Sequence, residues 1–210
     1  MLVYLLALVR FITTFHAVSA GQPYGETRMD FGEHYIKYQD IFKAFNTSRK
    51  QWLYGSNFNI PQEYKDYQCV HFKKDNMSAA ELNFTAYYLK DNKTVSTKLY
   101  GKLSKDNGDA DETTSKLRDH PNRIKVSATP GSHEEKELRL IYSDNKYCSI
   151  LRVPSEEAGR GCIVLLTILA VKTGLPNTCN SMYRNLCGTV PTFHKVFNDG
   201  CKLVENPPGC

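Results

Sequence analysis

The chain has 210 residues, 41% of them hydrophobic and 23% charged, with a net charge of +5. That is a folded composition and excludes a disordered chain; the length suits one domain, or at most two small ones. Lys and Arg are scattered, without the basic stripe of a nucleic-acid binder, and seven cysteines point to an oxidising compartment.

Residues 1–20 read as a secretory signal peptide. Leu2 to Val9 is apolar, Phe11 and Ile12 extend the run, and Val18-Ser19-Ala20 supplies small residues before Gly21. Arg10 interrupts the run, and no Lys or Arg precedes it. The expected mature protein is a single domain over residues 21–210. No later segment is long and apolar enough for a membrane helix. Four sequons, at Asn46, Asn76, Asn83 and Asn92, are candidate N-glycosylation sites.

Phe31, Tyr35, Tyr38, Phe42 and Phe45 recur at helical spacing, predicting an amphipathic helix from Asp30 to Phe45. From Gln51 the pattern changes to short runs rich in Val, Thr, Tyr, Phe and Leu between polar turns. Strands are predicted near 51–58, 66–75, 80–90, 94–103, 122–129, 136–143, 146–153 and 161–171. The segment from Ser104 to Pro121 is polar and acidic. Its Gly108 does not fall at the sixth place that a calcium-binding loop requires, and the segment reads as a solvated connection. Cys179, Tyr183 and Cys187 step by four, predicting a second helix that stops at Gly188. Residues 207–210 read as an irregular tail.

The predicted fold is mainly β: an eight-stranded antiparallel barrel with an N-terminal and a C-terminal helix. Closure removes exposed strand edges. A glycan on Asn83 would point outward, so alternation places Glu81, Thr85 and Tyr87 outside and Leu82, Phe84, Ala86 and Tyr88 inside. With the charged Lys98, Lys102, Arg123, Lys125 and Arg139 outside, alternation turns Val95, Thr97, Leu99, Ile124, Val126, Ala128, Leu138, Leu140 and Tyr142 inward. The eighth strand is apolar on both faces, so one face is expected under a helix. Such a barrel either fills its interior or holds one small ligand. For a ligand, the candidate contacts are Phe84, Tyr88, Leu99 and Tyr142.

Histidines at 34, 71, 120, 133 and 194 have no metal-ligand spacing, and no metal or other cofactor is expected. No nucleophile elbow, phosphate loop or Cys-x-x-Cys pair is present, so no enzyme activity is expected.

Gln39-Asp40-Ile41-Phe42-Lys43-Ala44-Phe45 followed by Gln51-Trp52-Leu53-Tyr54, then Tyr147-Cys148-Ser149-Ile150-Leu151 and Cys162, then Pro176, Cys179, Tyr183, Cys187-Gly188, Val196-Phe197 and Cys201 together resemble the tick salivary lipocalins, which include the histamine-binding proteins. The resemblance spans essentially the whole chain and implies a lipocalin barrel. It also implies disulfides Cys69–Cys201, Cys148–Cys179 and Cys162–Cys187. An alternative bridge, Cys187–Cys210, would leave Cys162 free. In the first arrangement Cys210 is the odd cysteine, so the protein is a monomer or a Cys210-linked dimer. Trp52 is expected to plug the barrel base or to touch ligand.

The function implied is secreted capture of a small host mediator, an amine or a lipid. The alternative is inhibition of a host defence protein, such as a complement component, with the barrel as scaffold. No nucleic-acid or membrane partner is expected. The amine-binding members resemble a pattern of Cys-Asp and, a strand later, Glu-Leu-Trp or Glu-Leu-Tyr. This chain has Ser149 in place of that Asp and Ile163-Val164-Leu165 in place of the second triplet. A buried cationic amine needs a carboxylate, so the departure favours a hydrophobic lipid. An inverted third strand would instead offer Glu81 to an amine.

Overall fold

Nine antiparallel strands form one sheet in the computed structural model, which describes residues 25–59, 66–106, 118–132, 135–190 and 192–201. The expected signal peptide, most of the acidic connection and Cys210 lie outside these residues. The strands are β1 (Gln51–Ser56), β2 (Gln68–Met77), β3 (Glu81–Lys90), β4 (Lys93–Ser104), β5 (Arg123–Ser127), β6 (Lys136–Ser143), β7 (Cys148–Val153), β8 (Gly161–Thr167) and β9 (His194–Lys195). Each of β2 to β7 pairs with the next. β1 closes the barrel by pairing with both β8 and β2.

The closure is uneven. β1 meets β2 only at Gln51↔Phe72 and Trp52↔His71. Further along, Gly55 and Ser56 pair with β9 instead. The Cys69–Cys201 disulfide ties the segment after β9 back to β2. The other bridges, Cys148–Cys179 and Cys162–Cys187, tie β7 and β8 to helix α4 (Asn177–Cys187). These are the three pairings that the resemblance implies.

The predicted N-terminal helix is broken. A 3-10 turn (Thr27–Asp30) is followed by α1 (Glu33–Ile36) and α2 (Ile41–Phe45). Hydrogen bonds to other elements outweigh the helical period here. Asp40 leaves the helix to cap α2, its side chain accepting from Lys43 N at 3.1 Å. Gln39 turns inward and donates to Ile141 O at 3.2 Å. Asp30 grips Arg152, receiving Nε at 2.9 Å and Nη2 at 2.7 Å. Arg152 is wholly buried and also donates to the carbonyls of Arg160 and Leu186. Burial pushes the Asp30 carboxyl above its ordinary value, and the Arg152 guanidinium acts against that rise. The predicted eighth strand also ends early: residues 168–171 form α3 (Ile168–Val171).

Two apolar clusters result. The inner one holds Ile41, Ala44 and Phe45 of α2 with Leu82, Ile124, Leu140, Leu151 and Leu165. The outer one lies between the wall and the C-terminal elements, with Val164 and Leu166 against Tyr183 and Leu186 of α4. β8 is therefore apolar on both faces because each face is covered.

Candidate functional site

The inner face encloses a cavity of about 160 Å³. Period-two alternation brings Leu82 and Phe84 of β3, Leu99 of β4, Ile124 and Val126 of β5 and Leu138 of β6 to its wall. Phe72, Leu151, Ile163 and Leu165 complete the apolar surface, and Phe45 of α2 reaches it from the N-terminal segment. The polar lining residues are Thr47, Arg49, Gln51, Lys74 and Lys136. Three of these are cationic and none is acidic.

Ile163 and Leu165 line the cavity, so apolar side chains stand on the wall where the amine-binding pattern has Glu and an aromatic. Ser149 is buried on the face of β7 shared with Leu151, its hydroxyl 3.0 Å from that of Ser143. Acids do occur in a separate polar cleft outside the barrel, where Glu33, Asp40 and Asp119 are interspersed with Lys37, Lys43 and Arg118. Asp40 there already faces Lys43 at 3.3 Å and His120 at 3.6 Å.

Of the candidate contacts, Phe84 and Leu99 lie on the cavity wall and the other four do not. Glu81 is exposed and stands opposite Lys102, on the outward face that alternation gives it. Tyr88 stacks on Tyr67, rings 4.3 Å apart, beyond the cavity. Tyr142 is turned out of the barrel. The β6–β7 ladder shifts register between Leu140 and Tyr142, and this bulge reverses the alternation after Leu140. Tyr142 therefore joins the outer cluster and meets Tyr38 at 5.5 Å. Trp52 is buried and does not line the cavity. Gln51 faces inward beside it, so Trp52 faces outward, stacked on His71 at 4.4 Å and edge-on to Phe197 at 5.7 Å. Ala128 lies past the end of β5 and is exposed.

Sequence reasoning missed the cations. Lys74 shares the face of Phe72, and Lys136 that of Leu138, so alternation alone would have found both. Arg49 comes from the irregular connection before β1, where no periodicity applies. Among the described residues, no three His, Cys, Asp or Glu side chains are grouped to hold a metal ion.

An eight-stranded antiparallel barrel enclosing a small apolar cavity, with a C-terminal helix fastened to its wall, is the architecture of a lipocalin. The family model of the tick histamine-binding protein matches residues 30–203, and the chain belongs to that family of ligand-binding lipocalins. No curated protein matches the sequence. Among solved structures, AM182 in its serotonin complex is similar at 14% identity and a TM-score of 0.54, over 75% of this chain and 88% of that one. Japanin from Rhipicephalus appendiculatus, bound to cholesterol, gives 16% identity and 0.50, over 75% and 98%. Lobster apocrustacyanin A1 gives 11% and 0.50, over 83% and 89%. At these identities the neighbours share the fold.

Proposed function

We propose that the protein is secreted and sequesters a small hydrophobic mediator of host defence that carries a negative charge. The carrying observation is the lining: apolar walls with Arg49, Lys74 and Lys136 and no carboxylate. A buried cationic amine without a counter-charge costs several kcal/mol, and here three like charges would oppose it. An anion meets the opposite situation, since each cation favours the charged form of an acid beside it.

The volume limits the guest. A cavity near 150 Å³ takes a benzene-sized group, and this one is of that order. It holds the apolar end of an amphipathic acid, with the charged end near the cations and any further chain reaching towards solvent. Serotonin in AM182 and cholesterol in japanin show that lipocalins of similar fold hold guests of different chemistry.

The test is calorimetric titration of the delipidated secreted protein with histamine and with fatty acids of increasing chain length. Saturable one-to-one heat is expected with a fatty acid and none with histamine. The combined variant Arg49→Gln, Lys74→Gln, Lys136→Gln should lose affinity for the acid and keep it for the matching alcohol. One-to-one histamine binding with no acid binding would overturn the reading.

A further inference from the structure

Of the polar lining residues Gln51 is buried, whereas Arg49 and Lys136 are exposed and Thr47 and Lys74 half-buried. The last four mark where the interior opens. Lys74 reaches a residue that does not itself line the cavity, Asn46, which directly precedes Thr47 in the chain. Asn46 is exposed at the end of α2, and its Oδ1 accepts a hydrogen bond from Lys74 Nζ at 2.7 Å. The chain then turns sharply, with Thr47 N donating to Phe45 O at 2.7 Å and Arg49 N to Thr47 Oγ1 at 3.1 Å.

Asn46-Thr47-Ser48 is a sequon. The carboxamide that would carry the sugar is therefore the one that holds a cavity-lining ammonium. The other sequons sit elsewhere. Asn76 and Asn83 face each other across β2 and β3, and Asn92 lies in the β3–β4 turn.

We propose that Asn46 is glycosylated and that its glycan stands across the opening of the cavity, controlling how fast a guest enters and leaves. The first sugar would extend from Nδ2 while Oδ1 keeps Lys74, so both the bulk and the cation lie at the opening. A steric screen of this kind changes association and dissociation together and leaves affinity nearly unchanged. For the identity of the guest, the proposal rests on the anionic-amphiphile reading; the screen itself does not.

Glycopeptide mass spectrometry of protein secreted from a glycosylating host should find the sugar on Asn46. Asn46→Gln and Ser48→Ala both remove the sequon, and Ser48→Ala retains the Asn46–Lys74 contact. Each should speed binding and release of a fluorescent fatty acid by about tenfold, the scale on which access constraints alter association, while Kd moves much less. Thr94→Ala, which removes the sequon at Asn92, should leave both rates unchanged. A second readout needs no natural guest. With Cys210→Ser as background, Val126→Cys places a thiol on the cavity wall, and its labelling by an anionic methanethiosulfonate should accelerate when the Asn46 sequon is removed. An unmodified Asn46, or rates indifferent to its glycan, would overturn the proposal. If no form binds a fatty acid, the ligand reading fails and the labelling rates decide this one.

Discussion

His71 shows how far a single side chain is set by its surroundings. Trp52 stacks on one side at 4.4 Å and Tyr87 on the other at 5.2 Å, while Nδ1 lies 3.0 Å from Cys69 O. Burial lowers the imidazole below its ordinary 6.5 and the charge of Lys50 adds to this; the Cys69 carbonyl acts in the opposite direction. The unfolded chain therefore binds this proton more readily than the folded one. The stabilisation is complete above the ordinary value of 6.5 and is lost as pH falls through the lower, folded value. Urea denaturation across pH 5 to 8, the usual range of histidine titration, at about half-unit steps, should show this decline. His71→Phe should flatten it, and an unaltered slope would exclude His71 as its source.

At the level of elements, the strands were legible because alternation and turn residues agree along β1 to β8. The inward set from β3 to β5 follows from placing Asn83 and the charged Lys98, Lys102, Arg123 and Lys125 outside, and Leu82, Phe84, Leu99, Ile124 and Val126 lie on the wall accordingly. Two kinds of information were missing. A bulge leaves no periodic trace, so Tyr142 looked inward although it faces out. Side chains committed to distant partners or to a local cap also override the helical period. Asp30 and Asp40 look like part of the polar stripe of one helix, yet the bonds of Asp30 to Arg152, of Gln39 to Ile141 and of Asp40 to Lys43 N break it into pieces. Gly101 of β4 offers a test of the wall itself. A Cβ there would meet Ile124 Cγ2 at 2.7 Å and Leu82 O at 2.8 Å, and the second of these is backbone. Gly101→Ala should cost about 1–3 kcal/mol, as overpacking does, and should narrow the cavity beside Val126. Urea denaturation and ligand titration of the one variant measure both effects.

The whole molecule depends on fastenings between parts remote in sequence. The Cys69–Cys201 bridge spans 132 residues, and a loop that long contributes up to about 4–5 kcal/mol in the chain-entropy model. Replacing both cysteines by serine should lower the urea midpoint accordingly, with the two remaining bridges verified by mass mapping. Cavity binding should survive in whatever fraction remains folded, because no lining residue belongs to the bridge or to β9.

The uneven join at β1 has a consequence for how the protein is made. Synthesis produces β1 early, yet its main partner in the barrel, β8, comes more than a hundred residues later, and β9 later still. The hairpins from β2 to β7 have their partners close at hand on the nascent chain, whereas β1 finds nearby only its two-residue pairing with β2. During translation the sheet therefore exists as an open ribbon, its future inner face wet and one edge bare, and long-range closures of this sort are slow. The vulnerable period for aggregation ends only when the last strands arrive, so a ribosome that stalls after β7 leaves a sheet that cannot close.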